Sequence, residues 1–398
     1  MTPAVRSVKR EPVNPKDGAR ERLKAAEPEL LALSRRIHAR PELAFEEERA
    51  AGWLADALDG AGFRVERGVH DLPTAFVARA GSGPLHVAIC AEYDALPDIG
   101  HACGHNLIAA LAVGAGLAAA RVADDVGLTV TVVGTPAEED GGGKILLLQR
   151  GAFAGVHAAM MVHPAPFDVA EPPTLAFAGI DAHFHGKASH ASAAPERGVN
   201  AADALVVAQT AIGLLRQHIR PTDRVHGIVT RGGEAPNVVP AHTTARFYVR
   251  ARTLRHLDEI RGKVLRCFEA GALATGCTLQ IDDSSPTYAE VRHDGAMAAL
   301  YRANAEALGR TFLEPRGDMS RFADSTDMGN VSQSIPSIHP MIGLSSLPAV
   351  NHQPEFTAHC VGAEADRALL DGALALAWTA IDLAGDDVLS GRLRSRAG

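Results

Sequence analysis

Residues 85–123 read LHVAICAEYDALPDIGHACGHNLIAALAVGAGLAAARVA. The opening is a short apolar run ending at Glu92 and Asp94, the pattern of a buried strand. From Leu107 the chain becomes a long Ala- and Leu-rich segment, too long for a strand and suited to a helix. Strand, polar connection and helix form one unit of an α/β layer, where ligands gather beyond the carboxyl ends of the strands. In that connection Cys103 lies between His101 and His105. Three readings of the cysteine are open: a metal ligand, a nucleophilic thiol, or a buried core residue. Asn106 reads as the N-cap of the next helix, whose partial positive charge favours a thiolate in either functional role. Gly104 leaves both side chains room to turn toward one centre.

The same rhythm extends outward. Residues 22–61 predict two helices broken at Pro41, the second stopping at Gly60–Gly62. TAFVARA (74–80), GLTVTVVG (127–134) and AAMMVHP (158–164) read as strands, and GKILLLQRGAF (143–153) as a helix. This alternation predicts a largely parallel sheet. Several strand ends carry chemistry: Glu92 and Asp94 lead into Cys103 and His105, Glu138 and Glu139 follow the next strand, and His163 follows a third. A later segment, SSLPAVNHQPEF (345–356), offers His352. An isolated Glu-Glu pair is ordinarily solvated. Here it follows an apolar strand and precedes three glycines. One glutamate could hold a metal while its neighbour stays free as a general base. Asp94 could cap a turn or orient a ligand.

Near residue 175 the pattern changes to β-α-β-β-α-β, from TLAFAGIDAHFHGKAS (174–189) to the strand opening at Thr278. That order predicts a compact α+β domain inserted into the larger one. His190 lies there in a small-residue loop before a helix, and Asn237 stands between two prolines on a rigid turn. Helix and strand patterns return from about residue 293. The expected organisation is a flexible N-terminal tail (1–22), a larger α/β domain (23–177 and 293–398), and an inserted α+β domain (178–292).

Composition narrows the classes of function. At 398 residues the chain exceeds the usual size of a single core. A net charge of −8 counts against an electrostatic nucleic-acid binder. No apolar run reaches the roughly 18 residues of a membrane span, so no membrane association is expected. The charged opening segment lacks the apolar core of a signal peptide. The five cysteines are odd in number and scattered, which fits a reducing compartment. Together these features predict a cytoplasmic protein.

Eight motifs, in order, carry a resemblance: EYDALP, HACGHN, GTPAEEDGGGK, MVHP, GKASHASAAPERGVNAADA, NVVP, STDMGNVSQSIPSIHP and NHQPEF. They resemble the M20 metallopeptidase and amidohydrolase family in its aminoacylase-like branch. Asn106 and STDMGNVS bring the chain nearest the aminobenzoyl-glutamate and β-alanyl-dipeptide hydrolases. The resemblance implies a zinc-peptidase-like α/β catalytic domain with a mainly parallel sheet, interrupted by a smaller ferredoxin-like α+β lid that forms a homodimer. It implies two divalent ions per subunit, of a kind (Zn, Mn or Co) that sequence does not choose. Their ligands would be Cys103 as a bridge, with His105, Glu139, His163 and His352. Glu138 would be the general base toward the attacking water, and Asp94 would orient a ligand. His190 would stabilise the oxyanion in a partner's site, with Asn237 and Arg250 meeting the substrate. The implied substrate is a small amide with a free carboxylate: an N-acyl amino acid, a dipeptide or an aminobenzoyl-glutamate-like conjugate.

Two other readings compete. A cysteine hydrolase would use Cys103 as nucleophile and His105 or His101 as base, leaving Glu138, Glu139, His163 and His352 without a task. A non-catalytic binder would have no use for Glu138.

Overall fold

Asn14 caps the first helix, its side chain accepting from the Lys16 N–H at 3.1 Å, and α1 runs Pro15–His38. Residues 15–22, expected as tail, are therefore helical. Their charges point outward while Ala19 and Leu23 are buried. Lys16 pairs with Asp382 at 2.7 Å and its carbonyl accepts from the Trp378 indole at 2.9 Å, so the helix is fastened to the far end of the chain. The computed structural model describes residues 14–313 and 324–395, and the rest of the expected tail, residues 1–13, lies outside them.

The chain continues through α2 (Glu48–Gly60), β1 (Arg64–Arg67), β2 (Phe76–Ala80), β3 (Leu85–Ala91), α3 (His105–Ala120), α4 (Ala123–Val126) and β4 (Leu128–Gly134). Then come α5 (Gly143–Gln149), β5 (Ala158–Met160) and β6 (His163–Ala165). The inserted unit comprises β7 (Ala176–His185), α6 (Ala201–Leu215), β8 (Arg224–Arg231), β9 (His242–Ala251), α7 (Leu254–Thr275) and β10 (Thr278–Asp282). The chain returns with α8 (Gly295–Glu306), α9 (Met328–Ser334), β11 (Ser337–Ile338) and β12 (Met341–Gly343). It closes with α10 (Pro354–His359), α11 (Ala363–Gly385) and α12 (Asp387–Arg394).

The main sheet has the order β1-β2-β4-β3-β5-β11. Its core strands β4, β3, β5 and β11 are parallel, and β2 and β1 extend one edge antiparallel. Helix α3 is apolar all round because it is buried all round, packed against α1 and α11. Its Gly116 is needed: a Cβ there would come within 2.5 Å of Val132. Helix α11 is long and apolar enough to cross a membrane, yet it is mostly buried against α3 and α8 as a core helix. The short parallel pair β6–β12 lies just beyond the sheet and carries His163.

The inserted unit has the order β10-β7-β9-β8, all antiparallel, which is the ferredoxin-like arrangement. Its sheet begins at Ala176, just ahead of the expected boundary. Alternate residues Ile180, Phe184, Phe247 and Val249 face α6 and α7 to form a separate core. The other face, with Phe177, Tyr248 and Arg250 at one end, meets a cleft that Glu138, Glu139 and His352 also line.

Candidate metal centre and active site

Four connections deliver the site: those after β3, β4, β5 and β12. After β3 the chain buries Glu92, Tyr93 and Asp94, then turns through Gly100 into the cysteine loop. Gly104, at φ +83°, occupies the N-cap position of α3. A Cβ there would come within 2.9 Å of Pro164, so glycine lets the loop close on the β6 segment that carries His163. Asn106 is not the cap. It lies in the first turn, buried, and its amide donates to Ser34 Oγ and to the Cys360 carbonyl, each at 2.9 Å. His101 is buried too, its ring 6.2 Å from His38, and supports the loop from behind.

His105 Nδ1 lies 3.1 Å from Asp94 Oδ1, which leaves Nε2 facing inward. Asp94 Oδ2 accepts from the Glu139 N–H at 2.9 Å, so one carboxylate orients two predicted ligands. Cys103 Sγ stands 3.4 Å from His163 Nε2, and the other ring nitrogen of His163 is held by the Pro164 carbonyl at 2.8 Å. His352, at φ +67° and anchored through its N–H to the Ala102 carbonyl, puts Nε2 3.3 Å from Glu139 Oε2. The donor atoms of Cys103, His105 and His163 all lie within 4.8 Å of one another, as do those of Cys103, Glu139 and His352. Cys103 belongs to both sets. Soft thiolate, imidazole and carboxylate in this combination suit a divalent transition ion.

The electrostatics fit cations. Burial and then the charges of Glu139 and Glu138 push the Cys103 thiol well above its usual range. The local field thus opposes a free thiolate, contrary to the helix-terminus expectation, and positive charge is needed to offset it. Burial, then Glu92 and Glu139, likewise raise Glu138 well above an ordinary carboxylate. Burial pushes Asp94 upward, but His105 outweighs it and holds the group below its usual value.

Several contributors were not assigned from sequence. Lys144, at 0% exposure, lies 2.5 Å from Glu92 Oε1 and 2.6 Å from Asp327 Oδ1, knitting the β3 end, the start of α5 and the start of α9 together. Glu92 turns its other oxygen toward His105 Nε2 at 3.5 Å. Glu47 accepts from the Ala137 N–H at 2.8 Å and steadies the turn before Glu138. His339 is buried with its ring centroid 5.4 Å from that of His163, and burial holds its pKa down to about 3. The strand-end position of Glu92 was the one local signal available.

Two cavities adjoin the cluster. One, of about 150 Å³, lies toward the lid between Phe177, Tyr248, Arg250 and Tyr288. The other, of about 60 Å³, is walled by Cys103, His163, His339 and Asn351. Arg250 is thus brought to the site, donating to Ser325 Oγ at 2.6 Å with its guanidinium 4.8 Å from the Phe177 ring centroid. His190 and Asn237 are exposed in the lid and line neither cavity of this chain. The His190 ring accepts from the Ala193 N–H at 3.2 Å, and the Asn237 carbonyl accepts from the Ala191 N–H at 3.0 Å.

Fold and donor set define a metal-dependent hydrolase of the peptidase and amidohydrolase class. Residues 176–275 match the M20 peptidase dimerisation domain. The chain is 41% identical over 380 residues to the Xaa-Arg dipeptidase of Mus musculus, covering 92% of this chain and 88% of that one. It is 36% identical over 261 residues to one of the subunits of the p-aminobenzoyl-glutamate hydrolase of Escherichia coli (strain K12), covering 60% of this chain and 54% of that one. A dinuclear metal-binding M20 peptidase from Bacillus subtilis superposes with a TM-score of 0.69 at 21% identity, covering 90% of this chain and 99% of that one. The chain belongs to the M20 family of metallopeptidases.

Proposed function

We propose that this chain hydrolyses the amide bond of a small dipeptide or N-acyl amino acid bearing a free carboxylate, with Glu138 as general base. The observation that carries the reading is the pair of donor triads sharing Cys103, with Glu138 outside that pair in a third cluster beside Glu92 and His105. Cys103 would be shared by the two ions, with His105 and His163 holding one and Glu139 and His352 the other. Zn, Mn or Co bound there would polarise the amide carbonyl and lower the pKa of water toward about 7. Asp94 holds His105 and the Glu139 backbone in register. Glu138 takes the proton of the attacking water and passes it to the departing amine. Arg250 receives the substrate carboxylate from the lid side. The dimerisation domain supports a homodimer in which His190 and Asn237 complete the partner's site. The raised pKa of Cys103 disfavours it as the attacking atom.

The name of the mouse relative makes arginine-terminated dipeptides the first substrates to try, with N-acyl amino acids and aminobenzoyl-glutamate beside them. Amine release is expected with added Zn or Mn, lost on chelation and regained on metal return. Glu138→Gln should keep its metal and lose roughly 10²–10⁴-fold in rate. Release from none of these substrates, or full activity after chelation, would refute the reading.

A further inference from the structure

Glu138, Glu139 and His352 line both cavities, so they stand where the two spaces join. With Glu138 as base, as the reading above has it, the scissile bond lies at this junction and each half of the substrate extends into one cavity. Arg250 gives the lid-side cavity a guanidinium, which assigns the carboxylate half to that side. The acyl half then extends toward the smaller pocket, whose wall combines the donors Cys103, Glu139, His163 and His352 with His339, Met341 and Asn351.

The wall of that pocket carries His339. It is 3% exposed, and neither ring nitrogen has a hydrogen-bond partner. A buried polar atom left unpaired costs about 1–3 kcal/mol; His101, behind the cysteine loop, is bare as well but lines neither cavity, whereas His339 lines the smaller one. Two neighbours of His339 are committed elsewhere: the Asn351 amide donates to the Pro164 carbonyl at 3.0 Å, and His163 Nδ1 lies 2.8 Å from the same oxygen. Nor does His339 belong to any of the three donor triads.

We propose that His339 is a specificity residue that hydrogen-bonds a polar group on the acyl half of the substrate. The enzyme therefore selects an aminoacyl or hydroxyacyl half over an apolar one of the same size. Unpaired buried nitrogens reject an analogue lacking the polar group far more strongly than an apolar pocket rejects a change in size.

Glycyl-arginine and N-propionyl-arginine differ chiefly by an ammonium in place of a methyl group and provide the test. Wild type should prefer the glycyl compound by at least about 10-fold in kcat/KM. His339→Leu should lose about 100-fold on the glycyl compound and stay within about 3-fold on the propionyl one, with metal content by elemental analysis equal to wild type. His339→Gln, which keeps a donor and an acceptor, should retain part of the preference and covers the case in which the leucine variant does not fold. Parallel loss on both compounds, reduced metal content, or no discrimination by wild type would each overturn the assignment. If wild type hydrolyses nothing in the wider substrate panel, the functional reading itself fails. Hydrolysis with the preference unchanged in both variants sinks only the role of His339.

Discussion

Asp94 holds His105 from one side and Glu139 from the other, with Oδ1 3.1 Å from the imidazole Nδ1 and Oδ2 2.9 Å from the backbone N–H. The first contact fixes the tautomer that presents Nε2 as a lone pair, and the second sets the turn that delivers the Glu139 carboxylate. Asp94→Asn keeps the shape but puts the tautomer at risk. The expected result is a loss of about 10–100-fold in metal affinity or activity, as for other outer partners of metal-bound histidines. Metal titration of the variant checks it. Unchanged affinity and rate would mean that Asp94 only shapes the loop.

The exposure of His190, away from both cavities of its own chain, leads to a complementation experiment. His190→Ala and Glu138→Ala subunits should each be nearly inactive alone. Mixed and allowed to exchange, random pairing gives about one quarter of sites with both groups intact, if the site is shared between protomers. Activity recovered toward that fraction supports sharing. No recovery, with exchange verified by differently tagged subunits, rejects it.

What could be read in the sequence was local. Period-2 and helical apolar patterns located β3, α3, β4 and the βαββαβ insertion, and the strand ends pointed to Cys103, Glu139 and His163. The misreadings arose where tertiary contacts decide. Asn106 has the chemistry of a cap, yet Gly104 can adopt the positive φ the turn needs, so the helix starts earlier and Asn106 is drawn into the core by Ser34 and Cys360. The charged start of α1 resembled a tail because its anchor, Asp382, lies 366 positions away. The Lys144–Asp327 pair spans 183 positions, and no local pattern announces a buried lysine.

That lysine makes a prediction about stability. Lys144, Glu92 and Asp327 are all at 0% exposure, so removing the cation strands two carboxylates without water. Lys144→Met should cost about 3–5 kcal/mol, the usual penalty for breaking a buried pair from one side. Neutralising the acids as well, with Glu92→Gln and Asp327→Asn, should recover much of that loss, because the desolvated charge is then gone. Denaturant unfolding of the single and triple variants makes the comparison. A single variant within about 1 kcal/mol of wild type would show that the acids find another partner or a proton at little cost.

Glu47 links pH to stability through the turn that carries the proposed base. Its carboxylate accepts from the Ala137 N–H at 2.8 Å and from the Thr74 hydroxyl at 3.0 Å, yet burial and the nearby charge of Asp94 raise its pKa from 4.5 to about 7. The folded state therefore holds this proton more tightly than the unfolded chain does. Stability from that proton is full below the unfolded value, declines as pH rises toward the folded value, and is absent above it. Glu47→Gln keeps an acceptor for Ala137 and has no proton to lose. Relative to wild type the variant should gain little near pH 4.5, gain steadily up to about pH 7, and level off beyond. The gain is at most about 3 kcal/mol from a shift of this size. Thermal melts of chelator-treated wild type and variant between pH 5 and 8 would follow it without a contribution from bound metal. A difference that stays flat, or narrows as pH rises, would mean that Glu47 keeps its charge in the folded protein and that its two hydrogen bonds outweigh its burial.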